Sequence, residues 1–302
     1  MSRILLQFPE GLKQKAAKFA EGYEKEGHEV FLSASPCYGA CDIALDEARW
    51  IKADKIVHFG HNRFMKNDLE IPVEYVEFKV DVEIARLAAL LPLLEGKKRI
   101  ALATTVQHVH QFDEMKRFFA GHGIEAIAGK GERACGIGQV LGCDDGAVRK
   151  AGADIDAIVF VGNGMFHPLA IGNASGKPVL ALDPYSGAVR DIGKDIANLR
   201  KRRMGSIAKA LSCKRFGVLL STKPGQFNMP LAIWARDELR KHGLAADILV
   251  ANELEPLSLN NFLSFDCYIN TACPRMADDT EEIGKPVLNI DMLRDFFGML
   301  GK

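Results

Sequence analysis

Short apolar runs alternate along the chain with longer stretches in which apolar residues recur every three or four positions. RILLQF (3–8), KRIALA (98–103) and KRFGVLL (214–220) are three such runs, each flanked by basic residues. Each leads through a turn to a helical pattern: LKQKAAKFAEGYEKEGH (12–28), FDEMKRFFAGHG (112–123) and MPLAIWARDELRKHG (229–243). Apolar spacing of three and four, ending near glycine, predicts amphipathic helices. A second run follows each helix: EVFLSA (29–34), IEAIAG (124–129) and ADILVA (246–251). A third comes later, with an Asp before or within it: KADKIVHFGHN (52–62), DIDAIVFVGNG (154–164) and LSFDCYINTACP (263–274). PVEYVEF (72–78), KPVLAL (177–182) and KPVLNI (285–290) close the units.

Strands alternating with helices predict parallel α/β layers. The repeat divides the chain into three pseudo-symmetric subdomains over 1–95, 96–212 and 213–302, each a small, mostly parallel sheet flanked by helices. The stretch 190–211 is expected to be a helix bridging the second and third. Its RKRR run is first a solvated helix face and only second a docking patch.

Composition narrows the function classes. The chain has 302 residues, 48% of them hydrophobic, and equal numbers of basic and acidic residues, 39 each. That balance argues against a broad electrostatic footprint for nucleic acid. The longest apolar runs, such as LAALLPLLEG, are too short for a bilayer, and no secretory signal is expected from MSRILLQFPEGL. Seven cysteines in this setting predict a reducing, cytoplasmic location, with thiols serving as core residues, metal ligands or catalytic groups.

Ligands bind outside the carboxyl ends of strands in open parallel sheets. Cysteines fall there in every unit: Cys37 and Cys41 in SPCYGACDIA, Cys135 and Cys143 in RACGIGQVLGCDDGA, and Cys273 in NTACPRM. Cys213, ahead of a strand, and Cys267, inside one, read as structural. Glycine and proline beside the loop cysteines leave room for a bulky ligand. Asp42 and Asp144, directly after Cys41 and Cys143, are expected to cap the following helices. One thiolate from each unit suits one metal centre, either zinc or a 4Fe–4S cluster with one open iron, and spacing does not separate the two. His58 and His61, around Gly60, are read as hydrogen-bonded loop histidines before metal ligands or proton carriers.

SPCYGACDIA, HFGH, GQVLGCD and NTACPR, in this order and spacing, resemble the archaeal diphthamide-synthesis radical enzymes, the 2-(3-amino-3-carboxypropyl)histidine synthases. The resemblance runs along essentially the whole chain. It implies three α/β subdomains similar to quinolinate synthase, with the cluster at their junction, in a homodimer. It also implies that Cys41, Cys143 and Cys273 hold a 4Fe–4S cluster, and that Cys37 and Cys135 do not. The implied reaction is the first step of diphthamide synthesis. An electron from the reduced cluster breaks the Cγ–S bond of S-adenosylmethionine and releases 5′-methylthioadenosine. The 3-amino-3-carboxypropyl group passes to C2 of a histidine of translation elongation factor 2, and an electron donor is needed. Asn62, after the second His of HFGH, departs from some relatives without touching the ligand set.

Candidate contacts to S-adenosylmethionine are Arg275, for its carboxylate, and Thr222 and Gln226 in STKPGQFN. Thr105 in TTVQH and Asn163 and Gly164 in GNGMFH occupy matching turns of the second unit. Tyr38, Tyr185, Asp183 and Pro184 are weaker candidates. Two other readings of the same cysteines are a quinolinate-synthase-like iron–sulfur dehydratase and a non-catalytic zinc-binding α/β protein.

Overall fold

The computed structural model describes residues 1–278 and 282–300. The chain forms two compact units, Met1–Gly193 and Lys194–Lys302. The first contains two sheets. One comprises β1 (Arg3–Gln7), β2 (Glu29–Leu32), β3 (Lys55–Phe59) and β4 (Val73–Val76) in the order β2-β1-β3-β4. The other comprises β5 (Arg99–Thr104), β6 (Glu125–Ile127), β7 (Ala157–Val161), β8 (Val179–Leu182) and β9 (Val189–Asp191) in the order β6-β5-β7-β8-β9. The second unit has β10 (Arg215–Ser221), β11 (Ala245–Ala251), β12 (Cys267–Asn270) and β13 (Val287–Asn289) in the order β11-β10-β12-β13. The first four strands of every sheet therefore run parallel in one shared order. This is the α/β architecture that the repeated pattern predicts.

Parallel strands covered on both faces read as continuous apolar runs. β7 (AIVFV) is buried at every position. In the second unit, Phe216, Val218 and Leu220 pack on one face with Ile269 and Phe296, and Leu219 packs on the other with Tyr268. The main helices lie where the spacing predicts: Ala16–Lys25, Phe112–Gly121 and Met229–Lys241. One segment differs. Residues 190–211 do not begin as helix, because Val189–Asp191 first returns as β9, antiparallel to β8. The helix follows over Gly193–Ala210.

The Asp before each third strand has a defined task. Asp54 accepts the Arg3 N–H at 2.7 Å. Asp156 accepts the N–H groups of Lys98 and Arg99 at 2.8 and 2.9 Å. Asp266 accepts those of Lys214 and Arg215 at 3.0 and 2.9 Å. These bonds hold the Asp156 and Asp266 carboxyls below the usual carboxylate range. The arginine of each first strand also pairs across to the second strand: Arg3–Glu29, Arg99–Glu125 and Arg215–Asp247, at 2.8, 2.9 and 2.6 Å. Among the described residues, no helix is long and apolar enough to cross a membrane.

Candidate functional site

The carboxyl ends of the strands carry polar side chains that the core would not otherwise accept. The last residues of the three first strands, Gln7, Thr104 and Ser221, are all essentially buried. Buried polar groups must be hydrogen-bonded: Gln7 reaches the loop that bears Cys41, while Thr104 and Ser221 bond to the Val161 and Asn252 carbonyls.

In the first sheet, Gln7 donates from Nε2 to the Asp42 carbonyl at 2.6 Å. Its Oε1 accepts the Ala44 N–H at 3.2 Å and meets His58 Nδ1 at 2.9 Å. One amide thus ties the loop after Cys41 to β3. Beneath it, the rings of Phe8 and Phe59 stack with centroids 4.3 Å apart, a contact worth about 1 kcal/mol beyond burial. Asp42 does not cap a helix. The helix Leu45–Trp50 begins after Ala44 without a side-chain cap. The Asp42 carboxylate instead turns back to the Tyr38 N–H at 3.4 Å, closing the loop on itself. Cys41 is half-buried there, while Cys37 is buried.

In the second sheet, the segment before Cys143 is laid along β5. Thr104 N–H bonds to the Gly138 carbonyl at 2.8 Å, and Val140 N–H bonds to the Thr104 carbonyl at 2.9 Å. Gly138 has φ +75°, and a Cβ there would sit 2.1 Å from the Phe112 ring, so glycine is required on both grounds. Asp144 gives one oxygen to the Gly146 N–H at 3.0 Å, at the start of the short helix Gly146–Arg149. Its other oxygen accepts the Arg133 and Ala134 N–H groups at 2.6 and 3.3 Å. Asp144 is therefore not the helix cap that its position suggests, since the N-cap is Asp145 and has no side-chain cap; Asp144 instead ties the Gly146 N–H to residues 133–134. Cys143 is exposed.

Asn62 has a role that the sequence did not reveal. Its amide pairs reciprocally with Gln139, at 3.0 and 3.1 Å. Gln139 is buried and also accepts the Gly136 N–H at 2.9 Å. The turn after β3 thereby holds the Cys143 loop. The Cys135 thiol donates to the Arg63 carbonyl at 3.1 Å in the same seam.

In the second unit, Asn270 and Asn289 clamp the loop of Cys273. Asn270 Nδ2 donates to the Cys273 carbonyl at 2.8 Å and to Asn289 Oδ1 at 2.7 Å. Asn289 Nδ2 donates to the Pro274 carbonyl at 2.9 Å. Cys273 is half-buried, and Arg275 is exposed at the start of the helix Arg275–Asp278. Lys223, buried after β10, pairs with Glu253 at 2.5 Å.

The fold places the other candidates at the same ends of their own sheets. Thr105 follows β5, and Asn163 and Gly164 are exposed in the turn after β7. Thr222 and Gln226 occupy the turn after β10. Cys213 and Cys267 are buried, as expected of structural thiols; burial pushes the Cys267 thiol well up.

These positions can be set beside known proteins. The family model for diphthamide synthesis proteins matches residues 8–292. The chain belongs to this family. As a diphthamide synthesis protein, it is 38% identical over 290 residues to the 2-(3-amino-3-carboxypropyl)histidine synthase of Pyrococcus horikoshii, covering 95% of this chain and 83% of the relative. It is 30% identical over 311 residues to the synthase of the same name from Methanocaldococcus jannaschii, covering 94% and 81%. The crystal structure of Dph2 from Pyrococcus horikoshii superposes with a TM-score of 0.91 at 36% identity, over 99% of this chain and 86% of that one. A second crystal structure of that protein, with a 4Fe-4S cluster, gives a TM-score of 0.90 over the same shares at the same identity. This chain and the Pyrococcus horikoshii protein thus share this α/β architecture along nearly the whole of this chain.

Proposed function

We propose that this chain is a 2-(3-amino-3-carboxypropyl)histidine synthase acting in the first step of diphthamide synthesis. The observation that carries the reading is its 38% identity, across 95% of its length, to a relative with that name. The substrate reading is transfer of the 3-amino-3-carboxypropyl group of S-adenosylmethionine to C2 of a histidine on translation elongation factor 2. The enzyme would act in the cytoplasm, as a homodimer, with subdomains over 1–95, 96–212 and 213–302.

Cys41, Cys143 and Cys273 would hold a 4Fe–4S cluster. The donor set fits: three thiols, none fully buried, on loops at the carboxyl ends of strands. All-thiolate sets suit iron–sulfur clusters rather than hard cations. Bound in its reduced form, the cluster supplies one electron to cleave a sulfonium C–S bond.

The remaining work is positioning, because the pose of the sulfonium decides which C–S bond breaks. Arg275 would take the carboxylate of S-adenosylmethionine. Thr222, Gln226, Thr105, Asn163 and Gly164 offer polar or open backbone positions for its amine, ribose and adenine. Gln7, Asp144 and the Asn270–Asn289 pair keep the cysteine loops in place before any ligand arrives. Such preorganisation is what precise positioning needs.

The test is anaerobic. Purified protein is reduced and given S-adenosylmethionine and elongation factor 2. The expected products are 5′-methylthioadenosine and a modified factor heavier by one aminocarboxypropyl group. A colourless protein carrying zinc at the three cysteines would overturn the reading. So would 5′-deoxyadenosine as the sole nucleoside product.

A further inference from the structure

Cys37, His58 and His61 form a second group of metal-binding side chains, separate from the three cysteines assigned above. One ligand-capable atom from each lies within 4.8 Å of the others. All three residues belong to the first unit. We infer that Cys37, His58 and His61 bind a zinc-class divalent ion.

The fold builds this group deliberately. His58 is fully buried near the end of β3, and Cys37 is buried in the loop after β2. Gly60 follows with φ +83°, and a Cβ there would lie 2.9 Å from Pro9 Cγ. Only glycine allows that turn at that distance. The turn brings His61 back over His58, with His58 Nε2 3.0 Å from His61 Nδ1 and ring centroids 5.1 Å apart.

Gln7 sets the tautomer. Its Nε2 donates to the Asp42 carbonyl, so its Oε1 must be an acceptor. Oε1 lies 2.9 Å from His58 Nδ1, which therefore carries the proton. His58 Nε2 keeps its lone pair and accepts the His61 Nδ1–H at 3.0 Å; a metal ion would replace that proton, which shifts to His61 Nε2 as the ring changes tautomer. A ligating histidine nearly always donates its other ring N–H to a fixed oxygen, which orients the ring and raises ligand basicity. Burial also holds the His58 ring neutral, lowered to about 3. Neutral imidazole is the form that binds metal.

The dimensions fit. Tetrahedral zinc, with bonds of about 2.3 Å to sulfur and about 2.0–2.1 Å to nitrogen, places its ligand atoms roughly 3.3–3.6 Å apart. The histidine nitrogens need to part by about 0.3 Å, and the Cys37 sulfur, within 4.8 Å of both, needs to close by up to about 1.2 Å; rotation of the His61 ring and of the Cys37 side chain would bring the three onto one ion. Two imidazoles and a thiolate suit zinc and its neighbours rather than magnesium or calcium. Three protein ligands leave a fourth position for water. An ion here would brace the loop of Cys41 against the turn that carries Asn62.

The inference does not rest on the proposed reaction, and its test reads metal rather than turnover. The full-length protein, purified anaerobically with its iron, is equilibrated with zinc, passed through a desalting column and analysed for both elements. One zinc per chain is expected, with iron unchanged and a higher thermal midpoint than before zinc addition. Cys37→Ala and His61→Asn are each expected to weaken zinc retention at least tenfold while keeping their iron. Cys41→Ala is expected to lose iron and keep zinc. Three results would overturn the site: no zinc retained by the unaltered protein, equal retention in Cys37→Ala and His61→Asn, or joint loss of iron and zinc in Cys37→Ala. The zinc-induced rise in midpoint gives an independent reading, and its persistence in Cys37→Ala would also count against the site.

Discussion

The two ends of the strands follow different rules. At the amino ends, all three sheets repeat one solution: an Asp before the third strand accepts N–H groups at the start of the first, and an Arg pairs across to the second. At the carboxyl ends the solutions differ. Gln7 and His58 hold the first loop, Asp144 and the Asn62–Gln139 pair hold the second, and Asn270–Asn289 holds the third. The repeated end fixes the scaffold and can be copied. The divergent end must place a different loop in each copy, so its buried polar contacts are individual.

Substitutions can break that contrast. The largest effect is expected at the thiols proposed to hold the cluster. Cys41→Ala, Cys143→Ala or Cys273→Ala should each lower product formation by more than about 100-fold, beyond the usual range for disturbing a ligand's support. Iron analysis and product chromatography read this out, and Cys37→Ala should retain its iron. Next comes Gln7→Leu, which strands the Ala44 N–H, the Asp42 carbonyl and the His58 Nδ1–H in a buried place. A loss of about 3 kcal/mol in urea unfolding is expected, with weaker iron retention. Asn62→Ala leaves the Gln139 amide N–H without its partner. It should cost about 1–2 kcal/mol by the same measurement and raise protease sensitivity within residues 133–143.

The smallest effect lies at the repeated end. The folded Asp266 carboxyl is held below its ordinary value of 3.8 by two backbone N–H bonds. Its contribution is therefore complete above that value and fades as pH falls through the lower folded value. Asp266→Asn should lower stability modestly at neutral pH, with the difference from the unaltered protein shrinking as pH falls through the folded value, so that the acid arm of a stability–pH curve flattens. Equal losses for Asp266→Asn and Gln7→Leu at pH 7 would erase the distinction between the two ends.

This contrast also explains what was legible in the sequence. The strands and main helices came from periodicity, and the Asp before each third strand was visible because it recurs. The cysteine loops were visible as Gly- and Pro-rich breaks after strands. Gln7, Asn270 and Asn289 were not read as clamps, since a polar residue ending an apolar run carries no mark of its partner. Those partners lie 35 and 51 positions away for Gln7 and 19 for the asparagine pair. Asn62 looked like a harmless departure, yet its partner is 77 residues on. Asp42 lies close to a helix without capping it, because the chain runs two more residues before Leu45. β9 was missed because VRD is too short and polar to stand out from the helix that follows.

That short strand has a consequence for solubility. An uncovered strand edge is a template on which another chain can add by backbone pairing. β9 occupies the outer edge of β8 with only three residues, and Arg190 and Asp191 on it are exposed. A brief, charged, antiparallel border gives an incoming strand little length to pair with and puts ionic groups in its path. The second sheet therefore carries its own guard against edge-to-edge association during synthesis and storage.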